Sequence, residues 1–83
     1  MDKFLKRLRE NKGLSQKEVS EHLGYSTSQF VSNWERGISF PPLRSIKKIA
    51  KLYGVDEKFL FENIKDAHIK KIKIKLENSM RLS

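Results

Sequence analysis

The sequence predicts an all-α fold: a compact bundle of five helices followed by a C-terminal extension. Three observations carry that expectation. Apolar residues recur three and four apart along most of the chain, S-x-x-E and S-x-x-Q boxes and glycines punctuate those runs, and the connecting pieces are too short to leave room for a strand.

Phe4, Leu5 and Leu8, set among Lys3, Lys6, Arg7, Arg9 and Glu10, predict an amphipathic first helix over residues 3–12, stopped by Gly13. Leu14 precedes a cap at Ser15 and is placed as a hydrophobic staple, while Glu18 completes a capping box. Val19 and Leu23 give this second helix its apolar face, and Gly24 ends it. Ser26 with Gln29 repeats the box and predicts a third helix, with Val31 and Trp34 inward and Gly37 as its stop. Residues 38–41 form a loop, and Pro42 is placed as the first residue of a fourth helix, where its missing N–H does no harm. Leu43, Ile46, Ile49, Ala50 and Tyr53 then form an inward stripe that runs to Gly54. Asp56 caps a fifth helix that sets Phe59, Leu60 and Ile64 against the others.

From Asp66 onward Ile69, Ile72, Leu76 and Met80 follow at helical spacings, with lysines on the other faces. Helix is the preferred form, although Ile72-Lys73-Ile74-Lys75-Leu76 also alternates as a half-buried strand would. The chain thus divides into a helical domain over 1–63 and a basic amphipathic extension over 64–83. In either form the extension's apolar edge is long for a monomer of this size. Burial of Ile69, Ile72, Leu76 and Met80 against a second copy, as a dimerisation element, is its expected use.

The chain of 83 residues has a net charge of +8, built from twelve basic and eight acidic residues up to residue 63 and six and two after it, so each part contributes +4. Such a balance favours a polyanionic partner, because neutralising phosphates releases counterions. No cysteine is present, which excludes a disulfide framework and a cysteine-type zinc finger. The start, MDKFLKRLRE, lacks the apolar run of a signal peptide, and nowhere do about eighteen apolar residues follow one another. A soluble cytoplasmic protein with no membrane span is expected. His22 and His68 stand far apart without metal-ligand spacing, so no metal is expected. No nucleophile with an adjacent base, phosphate-cradling glycine loop or pair of catalytic carboxylates is found, so neither catalysis nor a cofactor is expected.

The outward face of the third helix carries Ser28, Gln29, Ser32, Asn33 and Arg36, short, polar and rich in amides. Gln29 and Asn33 lie four apart, and both side chains can bind adenine N6 and N7 with two hydrogen bonds. Ser28, Gln29, Ser32 and Asn33 are therefore the candidate base contacts. Their plain structural alternative is that Gln29 only completes the capping box and Asn33 is solvated. Phe30 is placed better for packing beside Tyr25 and Trp34 than for a thymine methyl. Gln16 opens its helix, where free N–H groups favour a phosphate. Thr27, Arg36, Ser39 and Arg44 border the same surface and complete a candidate set of DNA-backbone contacts. The lysines at 65, 70, 71, 73 and 75 suit a solvated face first, contact with flanking DNA second and a membrane surface last.

The run from Leu5 to Leu60 resembles the lambda-repressor-like, XRE/Cro-type helix-turn-helix family of prokaryotic and phage regulators. The resemblance lies in Leu8-Arg9, Gly13-Leu14-Ser15-Gln16, Val19-Ser20, Leu23-Gly24, Val31-Ser32, Trp34-Glu35-Arg36-Gly37, Pro41 and Ile49-Ala50-x-x-Tyr53-Gly54-Val55. It implies a cytoplasmic, double-stranded-DNA-binding transcriptional regulator, a homodimeric repressor of a pseudo-palindromic operator. An antitoxin-like partner protein that uses its extension to bind another chain is the alternative. It also implies the phosphate role for Gln16, and a structural ion pair between Arg9 and Glu35. One departure stands out: between Gly24 and Glu35 there is one residue more than the usual pattern, so the recognition helix starts after Ser26 or after Thr27. The loop also has Ile38 and Phe40 where a cation is usual.

Overall fold

The computed structural model describes residues 3–82 as five helices, α1 (Phe4–Asn11), α2 (Gln16–Leu23), α3 (Gln29–Glu35), α4 (Leu43–Tyr53) and α5 (Glu57–Leu82), with no strand among the described residues. The fold class is all-α, as the spacing and punctuation of the sequence predict.

Local chemistry sets most of the boundaries. The Ser15 hydroxyl accepts from the Glu18 N–H at 3.0 Å, and the Glu18 carboxylate accepts from the Ser15 N–H at 3.0 Å, so the capping box closes at both ends. The Ser15 N–H foremost, and after it the Ser15 hydroxyl, hold the Glu18 carboxyl below its ordinary pKa. Gly24 ends α2 at φ 85°, a left-handed conformation that a side chain would strain, and the turn into α3 depends on it. Asp56 accepts from the Phe59 N–H at 3.0 Å and starts α5.

Two boundaries and one buried position differ from the sequence expectation. The third helix does not begin at a Ser26–Gln29 box. Its N-cap is Ser28, whose side chain makes no cap bond, and the Gln29 N–H turns instead to the Thr27 hydroxyl at 3.3 Å. The helix therefore starts after Ser28, later than either expected position, after Ser26 or after Thr27. Pro42 is the extended N-cap of α4 and Leu43 its first helical residue. Leu43 does not join the inward stripe: it is 75% exposed and borders an open groove with Pro42, Phe61 and Ile64. At the first position of α4 it lies a turn ahead of Ile46, the first member of the stripe that the core covers.

The core collects Leu5 from α1, Val19 from α2, Val31 and Trp34 from α3, Ile46, Ile49, Ala50 and Tyr53 from α4, and Leu60 and Ile64 from α5. Phe59, placed inward by the sequence pattern, is 47% exposed, and its ring meets Phe4 edge-on at 5.8 Å. The 26-residue α5 is continuous, helical through the stretch that also alternates, and spans roughly 39 Å at 1.5 Å per residue. Its first two turns pack on the bundle. Beyond Ile64 it is largely exposed.

Candidate nucleic-acid interface

Helix α3 has two faces set by its 3.6-residue period. Val31 and Trp34 are 1% and 3% exposed and point into the core, and Trp34 meets Tyr25 edge-on at 5.9 Å. That anchoring turns Gln29, Ser32, Asn33 and Arg36 to the opposite side. Gln29 and Arg36 are exposed there, while Ser32 and Asn33 are half-buried. Ser28 sits at the helix start, half-buried, and Thr27 is exposed in the turn beside it. Phe30 tilts against Tyr25 at 4.7 Å and still leaves half its surface open.

The two amides on the outward face meet each other. Gln29 Nε2 donates to Asn33 Oδ1 at 2.8 Å, one helical turn away. Side-chain pairs at this spacing support a helix, here a short one without a capping side chain.

Behind the face, Arg9 and Glu35 form an ion pair with Nε to Oε2 at 2.6 Å and Nη2 to Oε1 at 3.0 Å, the two side chains only 10% and 4% exposed. Arg9 Nη1 also donates to the Leu14 carbonyl at 2.8 Å, which ties α1 to the loop before α2 as well as to the end of α3. The hydrogen bonds to Glu35 hold the guanidinium above its ordinary pKa against the opposing effect of burial. Burial, with the Glu35 charge, pushes the neighbouring Tyr53 hydroxyl far above the usual phenol range, so it stays protonated. Gln16 belongs to the same cluster: its Nε2 donates to Glu35 Oε1 at 3.0 Å. The amide keeps a second N–H, and the structure thereby orients this half-buried side chain at the first position of α2.

The loop after α3 shows why it carries apolar residues. Phe40 stacks on His68 of α5, 4.5 Å between ring centres and 20° between planes, and Ile38, Phe40, His68, Lys71, Ile72 and Lys75 line one shallow cleft. Lys71 Nζ donates to the Gly37 carbonyl at 2.8 Å and lies 5.6 Å above the Phe40 ring. The cation that the loop lacks thus reaches it from α5, at the negative end of α3. The sequence pattern predicts no role for His68, and for Lys71 a solvated face first, contact with flanking DNA second and a membrane surface last. Nothing in the local pattern pairs them with Phe40, although the apolar loop was itself a signal that something covers it. Ser39 is half-buried in this loop and Arg44 exposed in the first turn of α4. On α5, Ile69, Ile72, Leu76 and Met80 are 50%, 48%, 59% and 75% exposed.

Two helices joined by a tight turn, the second with an anchored inner face and an amide-rich outer one, define a helix-turn-helix DNA-binding protein. The sequence profile described as helix-turn-helix matches residues 5–60, and the chain belongs to this lambda-repressor-like family of DNA-binding regulators. No curated protein and no solved structure matches the chain significantly. Among the described residues no helix is long and apolar enough to cross a membrane.

Proposed function

We propose that this DNA-binding regulator recognises a specific pseudo-palindromic operator as a homodimer and represses transcription by covering a promoter. Two copies of α3 enter successive major grooves about 34 Å apart. One observation carries the proposal: α3 is held by Val31 and Trp34 so that exposed Gln29 and Arg36 and half-buried Ser32 and Asn33 share one outward face. Ser28, Gln29, Ser32 and Asn33 meet base edges. Gln16, Thr27, Arg36, Ser39 and Arg44 hold the phosphate backbone, Gln16 with the N–H that Glu35 leaves it. The exposed apolar residues Ile69, Ile72 and Leu76, with Met80, form the dimer contact. In this assignment residues 1–63 form the DNA-binding unit and 64–83 the dimerisation element, on one uninterrupted α5.

The test is selection of bound duplexes from a random pool, with sedimentation of the free protein. A two-fold symmetric site is expected, together with a dimer that Ile72→Glu with Leu76→Glu dissociates. Absence of any enriched sequence overturns the proposal. The same exposed stripe favours a second reading, an antitoxin-like protein that binds a different chain. A monomer in isolation that co-purifies with another polypeptide at fixed stoichiometry, and loses it in the doubly substituted variant, establishes that reading instead.

A further inference from the structure

The chain has no acidic residue between Glu35 and Asp56, and α4, within that interval, carries Arg44, Lys47, Lys48 and Lys51. Their spacing is i, i+3, i+4 and i+7, so they form one stripe along the helix. All four are exposed, while Ile46, Ile49, Ala50 and Tyr53 face the core from the other side. Like charges at these spacings weaken a helix, and cations near its start oppose the helix dipole. Lys47, Lys48 and Lys51 form no ion pair among the described residues, so the fold alone gives the stripe no use. Beside it lies a groove of about 430 Å³ between α4 and the end of α2, lined by His22, Leu23, Lys48, Lys51 and Leu52. Half-buried Leu23 and Leu52 form an apolar floor, and exposed His22, Lys48 and Lys51 form the rim. No carboxylate is among the lining residues. On α2, Glu21 lines a different cleft with Lys17 and the turn into α3, and Glu18 is held in the Ser15 capping box.

We infer that the groove between α2 and α4 is a docking surface for an acidic amphipathic helix of a second protein. Carboxylates one turn apart on that helix meet Lys48 and Lys51, and an apolar side chain between them enters between Leu23 and Leu52. Charge complementarity selects an acidic partner. The apolar floor selects a protein over a nucleic acid, because a phosphate backbone has no apolar group for the two leucines to bury. The place of the groove in the fold points the same way. Helix α4 packs on α1, α2 and α5, and the groove meets α2 at its C-terminal end, about 10 Å along the axis from Gln16, the residue assigned to phosphate. Of the stripe, Arg44 alone is assigned to DNA. The surface is thus separate from the outward face of α3, and a protein bound there leaves Gln29 and Asn33 free for DNA.

The test is titration of the full, isotope-labelled chain with a synthetic helical peptide that carries glutamates one turn apart and a leucine between them. Amide shifts are expected at His22, Leu23, Lys48, Lys51 and Leu52, and not along α3. Glutamine in place of the peptide's glutamates is expected to abolish binding, and alanine in place of its leucine to weaken it about tenfold. Lys48→Glu with Lys51→Glu is expected to weaken binding about tenfold as well, the worth of two exposed ion pairs. Both positions are exposed, and circular dichroism checks the fold; if the charge reversal unfolds the chain, Lys48→Gln with Lys51→Gln takes its place. No binding, equal binding of the glutamine or the alanine peptide, or shifts centred on the lysines of α5 each overturns the inference, because the charge then acts without a built site. A random-sequence duplex is the second probe. The Lys48→Gln, Lys51→Gln variant is expected to bind it with the salt dependence of wild type, and a flatter dependence places the stripe on DNA and overturns the inference too.

Discussion

Glu35 accepts three hydrogen bonds, two from Arg9 and one from Gln16, and so joins α1, α2 and α3 through one carboxylate. The side chains of the ion pair are nearly dry, and removing one partner leaves a buried charge without compensation, at a cost of ~3–5 kcal/mol. Glu35→Ala is expected to lower the melting temperature by roughly 15 °C or more in a domain of this size. It also releases the Gln16 amide, so affinity for DNA falls evenly across sequences while base preference is retained. A melting temperature equal to wild type would show that the pair is dispensable. The resemblance brings Arg9 and Glu35 together, but not Gln16 with them: nothing in residue spacing reveals that a helix-opening glutamine turns toward a carboxylate nineteen positions away.

At the scale of the element, α3 is seven residues long and has no side-chain cap at its N-terminus, too short to persist alone. It is held from three directions: the Val31 and Trp34 face by the core, the Glu35 end by Arg9, and the loop beyond by α5. The last brace consists of the Phe40–His68 stack and the Lys71 bond to the Gly37 carbonyl. Ring pairs and cation–π contacts of this kind contribute about 1 kcal/mol. In a His68→Ala, Lys71→Ala variant, hydrogen exchange at the Ile38 N–H, which bonds the Asn33 carbonyl at 2.9 Å, is expected to accelerate several-fold, with the α2 amides unchanged. Equal exchange at Ile38 would mean that α5 merely lies against the loop. The capping box of α2 and the Asp56 cap of α5 were legible in the sequence because each is closed by residues three apart. The start of α3 was not, because two serines and a threonine in succession offer competing caps, and the core position of Val31 and Trp34 decides where the helix begins.

Across the whole molecule the charge of +8 is divided evenly between the bundle and the extension, yet the backbone contacts proposed here include only two cations, Arg36 and Arg44. Two copies neutralise four phosphates, which predicts a slope of log affinity against log salt of about −3.6. With the extension's lysines solvated, Lys73→Gln with Lys75→Gln leaves that slope in place. A steeper slope that these substitutions flatten would instead put the extension on flanking DNA.

Local chemistry written in the sequence determined that this chain is helical, where α2, α4 and α5 end or begin, and that α3 carries an amide-rich face. These features depend on residues within a turn of one another, so periodicity and caps suffice. Only the tertiary structure decided that Leu43 stays at a groove's edge, that the first helical residue of α3 is Gln29, that Gln16 turns to Glu35 and that α5 reaches back to the loop at Phe40. Each of those joins elements distant in sequence or selects among equal local options, and the choice is made by which side chains the shared core has room to bury.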